Sequence, residues 1–213
     1  MMTVPAMGKF QRLIVFLAGL LAASAIAHEE TAVLPVYQSC ITCHGSDGWG
    51  NDATRVPAFA GQQAPYLAKQ LQDYRSGFRG NAVGDKWGAQ MSLMAKPLTD
   101  AEITHLSRYL AAQRSWPGSA GSGKQPPSSA TVCLTCHIKG DLDPSSSTPV
   151  LWGLSGDYLY RQMLAYRDGW RDGSQPGQPQ SAMAPVIDVT YSEATLQELA
   201  AYFSGAAFPQ SRQ

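Results

Sequence analysis

Cys40-Ile41-Thr42-Cys43-His44 and Cys133-Leu134-Thr135-Cys136-His137 are two copies of one pattern, C-x-x-C-H, 93 residues apart. They use all four cysteines of the 213-residue chain. The surrounding sequence repeats with them. Tyr66-Leu-Ala-Lys-Gln-Leu-Gln-Asp-Tyr-Arg-Ser-Gly-Phe-Arg79 returns as Tyr158-Leu-Tyr-Arg-Gln-Met-Leu-Ala-Tyr-Arg-Asp-Gly-Trp-Arg171, at an offset of 92 residues. Pro57 and Pro149 each stand nine residues before the opening tyrosine. The chain is therefore a tandem duplication, and a fold must be sought for each half.

The pattern has a chemical reason. Two thiols at this spacing add across the two vinyl groups of one haem, and the histidine that follows is held under the ring to ligate iron. Cys40, Cys43 and His44 would hold one haem c in this way, and Cys133, Cys136 and His137 a second. A thioredoxin-like pair would need a βαβ setting. A zinc site would need ligands brought from pairs far apart in sequence. Disulfides within each C-x-x-C are open to an exported chain. None of these three readings uses the repeated histidine.

Each half reads as three helices, which makes the protein all-α. A short helix carries C-x-x-C-H. A second begins near Pro65 in the first half and Asp157 in the second, with apolar Leu67, Leu71 and Tyr74 at three- and four-residue steps. A third runs from about Thr99 to Ala112, with Ile103, Leu106 and Leu110 on one side. Thr99 and Glu102 fit a capping box. Ser192 caps the matching helix of Leu196, Leu199 and Phe203. The Gly/Ser/Pro-rich stretch 115–130 between the halves reads as a linker.

At the N-terminus Lys9 and Arg12 precede an uncharged run from Leu13 to Ala27. The run is shorter than the ~20 residues of a membrane span and closes on Ala25-Ile26-Ala27, an A-x-A cleavage pattern, with Ala23-Ser24-Ala25 just before it. The expected organisation is a signal peptide (1–27), an N-terminal domain (28–114), the linker (115–130) and a C-terminal domain (131–213). The mature protein then begins at His28 in the periplasm. An uncleaved anchor is the competing reading. Apolar residues make 44% of the chain and charged residues 15%, which excludes a disordered or acidic solvating segment. A formal charge of zero argues against a nucleic-acid partner.

A second axial ligand completes an iron meant for electron transfer. Methionine sulfur favours Fe(II) and raises the potential. Met91 and Met94 fall in what reads as a loop before the last helix of the first half; spacing alone does not choose between them. Met183 is the methionine of the matching loop in the second half. Met163 aligns with Leu71 and reads as core filler. His105 lies off the apolar face of its helix and reads as a surface histidine. Arg75, Arg79, Arg167 and Arg171 suit either haem propionates or solvated helix ends.

The two C-x-x-C-H motifs, the Pro-x-x-x-Gly-Gln stretch (Pro57 to Gln62) and the Tyr-Leu-x-x-Gln-Leu-x-x-Tyr-x-x-Gly helix together resemble the c4-type dihaem cytochromes. The resemblance covers most of the chain after Ala27. It implies two tandem class I cytochrome c domains related by a pseudo-twofold axis, each with His/Met ligation. It favours Met91, which stands seven residues before Leu98-Thr99-Asp100. It implies that the carbonyls of Pro57 and Pro149 accept the proximal imidazole N–H, fixing ring orientation. The second half departs from the pattern. Ile138 replaces the glycine at Gly45, nothing matches Tyr37, Gly61-Gln62 becomes Gly153-Leu154, and the Met183 loop is one residue longer.

What the resemblance implies functionally is a carrier of electrons between respiratory partners such as a membrane oxidase, reductase or dehydrogenase, with association at the membrane surface as a further expectation. Two alternatives are a dihaem enzyme (a peroxidase or thiosulfate-oxidising protein) and a haem subunit of a larger membrane complex. The enzyme needs an open iron or a cysteine ligand beyond the C-x-x-C pairs, and no spare cysteine exists. The bound subunit needs an anchor or an apolar docking surface, which the five tryptophans are numerous enough to include.

Overall fold

The computed structural model describes residues 35–117, 123–137, 145–171, 181–187 and 191–205. The expected signal segment and cleavage site, and His28, lie outside them. The described residues are helical, with one isolated β-bridge between Asn51 and Val56 and no strand. Helix α1 covers residues 35–44. It is followed by α2 (Ala64–Ser76), α3 (Lys86–Ala95) and α4 (Asp100–Ala111). The second half has two 3-10 turns, Ser128–Ala130 and Cys133–Thr135, then α5 (Gly156–Arg167) and α6 (Glu193–Ser204).

Helix α2 packs on α4, and α5 on α6. The apolar stripes explain this. Ile103, Leu106 and Leu110 of α4 are buried, as are Leu196, Leu199 and Phe203 of α6. Tyr37, Leu67, Leu106 and Leu110 form the first core, with Cys40, Ile41, Phe59 and Leu71 against it. The second core gathers Cys133, Val150, Trp152, Leu154, Leu159, Leu199 and Phe203. Met163 packs against that core, as expected of a filler.

Helix α4 starts where its sequence says it should. Thr99 caps it, Glu102 N donating to Thr99 Oγ1 at 3.2 Å and Thr99 N to Glu102 Oε2 at 2.7 Å. The Thr99 N–H bond, with a second from Thr99 Oγ1–H to Oε2 at 2.8 Å, holds the Glu102 carboxyl below its ordinary pKa. Thr99→Ala removes the acceptor and is expected to destabilise the folded protein by about 1 kcal/mol, read as a lower urea midpoint at unchanged slope. A midpoint shift below a quarter of that would mean the α2 contact alone sets the start of the helix. Ser192 caps α6 in the same manner, accepting from Thr195 N.

The structure changes five expectations. Met91 and Met94 are on helix α3 and not in a loop. Asp85 caps that helix through Gly88 N at 2.8 Å, and Ser92 Oγ ties it to Tyr74 O at 2.7 Å. A Cβ on Gly80 would lie 2.2 Å from Gly88 O, so the absence of a side chain there lets α3 close on the turn after α2. The stretch hid its helix because Gly88 and Ser92 interrupt the apolar period. Second, the C-x-x-C-H of the second half begins on a single 3-10 turn, Cys133–Thr135. Pro126 and Pro127 stand directly upstream of the turn before it, and proline has no N–H with which to extend a helix through them.

Third, the ends of the stretch read as linker are core. Trp116 is buried in the second core with its Nε1–H bonded to Trp152 O at 2.9 Å, and Ala130 is buried beside it. Fourth, Tyr74 does not line the apolar face of α2; its ring lies under the Arg79 guanidinium. Fifth, His105 is half-buried rather than on the open surface.

Candidate haem centres

In each half a proline carbonyl holds the histidine of C-x-x-C-H. His44 Nδ1 lies 3.0 Å from Pro57 O, and His137 Nδ1 lies 2.8 Å from Pro149 O. A carbonyl only accepts, so each Nδ1 carries the proton and donates. Nε2 is then the lone-pair nitrogen, with no hydrogen-bond partner for either ring among the described residues. Both rings are buried. Burial pushes the His44 pKa down to about 4, the Pro57 bond opposing it, and burial likewise lowers that of His137. Both imidazoles are thus neutral at pH 7, the form that ligates iron. The Phe59 ring steadies His44, centroids 4.4 Å apart.

The thiols divide between core and surface. Cys40 is half-buried and Cys133 buried, and burial raises both pKa values. Cys43 and Cys136 are exposed, and no two of the four are joined. Among the described residues no three His, Cys, Asp or Glu side chains gather as a metal cluster. Met91 is half-buried, whereas Met94 is 41% exposed. Met183 is half-buried in a turn where Val186 N and Ile187 N both donate to its carbonyl.

The four arginines separate. Arg75 bonds Leu98 O at 2.8 Å and pairs with Asp100. Arg167 pairs with its neighbour Asp168. Both are helix-end residues. Arg79 and Arg171 are only 4% and 6% exposed, and neither forms an ion pair among the described residues. They meet across the domain interface. Arg79 donates to Gln70 Oε1 at 2.5 Å and to Gln162 Oε1 at 2.8 Å. Arg171 donates to Gln162 Oε1 at 2.6 Å and to Gln70 Oε1 at 2.9 Å. Tyr74 and Tyr166 stack beneath them, 4.2 and 4.4 Å from ring centroid to guanidinium. The duplicated motif thus contacts its own copy in a crossed square. Sequence reasoning had the arginines but missed the partners. The signal was the Tyr66-Gln70-Tyr74 and Tyr158-Gln162-Tyr166 stripe at four-residue steps.

Two buried guanidiniums with neutral acceptors only are costly without an anion. Arg171 Nε is moreover a buried donor with no acceptor. That orphan, the two lone-pair imidazole nitrogens and the paired thiols fit a group that brings vinyls, iron and carboxylates together. A haem does so at each C-x-x-C-H.

Residues 35–114 match the cytochrome c family. A thiosulfate dehydrogenase electron acceptor of Thiomonas intermedia (strain K12) is 34% identical over 175 residues, covering 73% of each chain. Cytochrome c4 of Thiocapsa roseopersicina is 30% identical over 163 residues, 70% of this chain and 80% of that one. The crystal structure of reduced recombinant cytochrome c4 from Pseudomonas stutzeri has a TM-score of 0.61 at 25% identity, covering 83% of this chain and 97% of that one.

Fold and site define an all-α protein of two tandem cytochrome c domains. The chain belongs to the c4-type dihaem cytochromes. It carries two covalently bound haem c groups and is an electron carrier, not an enzyme; its partners are redox proteins. No helix among the described residues is long and apolar enough to cross a membrane.

Proposed function

We propose that this cytochrome is exported with cleavage after Ala27 and works in the periplasm, taking electrons from a sulfur-oxidising dehydrogenase and passing them towards a terminal oxidase or reductase. Cys40, Cys43, His44 and Met91 hold the first haem, and Cys133, Cys136, His137 and Met183 the second. The domains are residues 28–114 and 131–213, the second completed by Trp116 and Ala130 of the connecting stretch. The haem, when bound, supplies a one-electron Fe(III)/Fe(II) couple. The chain orients each imidazole through a proline carbonyl, keeps it neutral by burial and would meet the haem carboxylates with Arg79 and Arg171.

The observation that carries this reading is the repeated His–Pro bond, which fixes a neutral imidazole with its ligating nitrogen free in both halves. A dehydrogenase donor is favoured by the relative named as acceptor to thiosulfate dehydrogenase. The test has two parts. Mass spectrometry of the periplasmic protein is expected to give residues 28–213 plus two haems. Stopped-flow mixing of the oxidised protein with thiosulfate dehydrogenase and thiosulfate is expected to reduce both haems faster than thiosulfate alone does. A chain retaining residues 1–27, or equal rates with and without the dehydrogenase, would overturn the respective half of the proposal.

A further inference from the structure

Gln62 stands where the two halves stop being copies, since its counterpart is Leu154. Leu154 lies in the second core. Gln62 is buried at the domain interface, and both ends of its amide are used on one residue of the other domain. Its Nε2 donates to Val150 O at 2.7 Å, and its Oε1 accepts from Val150 N at 3.0 Å. Its backbone is held in place by Gln62 N donating to Phe59 O at 3.1 Å. The preceding Gly61, at φ +74°, leaves room for Ser115, whose Oγ would lie 2.3 Å from a Cβ there.

The N–H of Val150 belongs to the same peptide unit as the carbonyl of Pro149, the acceptor for His137 Nδ1–H. Hydrogen bonds at both ends of a peptide polarise it and strengthen one another. Gln62 therefore makes Pro149 O a better acceptor. A stronger bond to Nδ1–H makes the imidazole a more basic ligand, which favours Fe(III) over Fe(II). In the first half the matching peptide is Pro57–Ala58, and Ala58 N–H has no acceptor among the described residues. The His–Pro distances agree with this asymmetry, at 2.8 Å for His137 and 3.0 Å for His44.

We infer that Gln62 of the first domain is a positioning residue for the second haem, lowering its potential through the Pro149–Val150 peptide. It couples domain docking to the second haem and leaves the first untouched. The inference rests on His44 and His137 as proximal ligands.

The experiment uses the full-length holoprotein with both haems. In the wild type, NMR of the two imidazoles is expected to show slower hydrogen exchange at His137 Nδ1–H than at His44 Nδ1–H. Gln62→Leu is expected to raise one midpoint only, that of the domain whose His Nδ1–H resonance moves, by about threefold in the Fe(III)/Fe(II) equilibrium. Tenfold corresponds to about 59 mV for one electron. A neutral Gln62→Glu carboxyl can both accept from Val150 N and donate to Val150 O, so it keeps the midpoint close to the wild-type value. Arg161→Gln breaks another interdomain bond, Arg161 Nη2 to Arg55 O, and should move neither midpoint. Shifts in both midpoints or in neither, or equal shifts from Arg161→Gln, overturn the inference. Failure of the Gln62 effect in a protein where His137→Gly still abolishes one low-spin haem leaves the site reading intact.

Discussion

Met91→Ala is expected to remove about half of the weak Met–Fe(III) charge-transfer absorbance of the oxidised protein, and to lower one of its two midpoint potentials. A thioether is a soft ligand that stabilises Fe(II), so its loss shifts the couple towards Fe(III). The shift should be on the order of 0.1 V, a fraction of the ~0.8 V that axial ligands span. Met183→Ala should remove the other half of the band. Met94→Ala should leave the band alone, because that side chain points outward while Met91 on the same helix is half-buried. The measurement is a reductive titration followed by absorbance. If Met94→Ala takes the band and Met91→Ala does not, the ligand is misassigned by one turn of α3. If one haem of the wild type is already high-spin, the second domain is the place to look for chemistry.

Gln162→Leu should be among the most damaging single changes at the interface. Its carbonyl oxygen is the acceptor for both Arg79 and Arg171. Leucine leaves two buried, charged donors short of a partner, and each hydrogen bond to a charged group contributes ~1.5–3 kcal/mol. We expect a loss on the order of 3 kcal/mol in urea unfolding of the holoprotein. By pseudo-symmetry Gln70→Leu should cost about as much, and the double variant less than the sum, since both residues serve the same two guanidiniums. The exposed Lys69–Asp73 pair is the contrast. It joins neighbouring turns of α2 at 2.7 Å, and Lys69→Ala should cost less than about 1 kcal/mol. Equal losses from Gln162→Leu and Lys69→Ala would mean that the crossed square is solvated and contributes little.

The duplication, the all-α class and both haem attachment motifs were legible in the sequence because each rests on covalent or local rules. Thiol spacing answers to the vinyl groups of one cofactor. A capping box and an i, i+3, i+4 stripe need only their own helix, which is why α4 starts at Asp100 and buries Ile103, Leu106 and Leu110. Where local signals conflict, the reading was poorer. Helix α3 was hidden by Gly88, whose missing side chain makes sense only once Gly80 is seen against it.

Tertiary structure alone decided which polar residues matter. Arg75 and Arg79 look alike in sequence, yet one ends in an exposed carboxylate pair and the other in a buried square with the second domain. Gln62 looked like part of a family stretch, and its significance is that it grips the peptide next to Pro149, 88 residues away. The sequence by itself determined what each half is, because covalent attachment and helix periodicity are short-range. Only the folded chain decided how the halves address one another. The bonds between them join residues far apart in the chain, and no local pattern reports a partner supplied by the other copy.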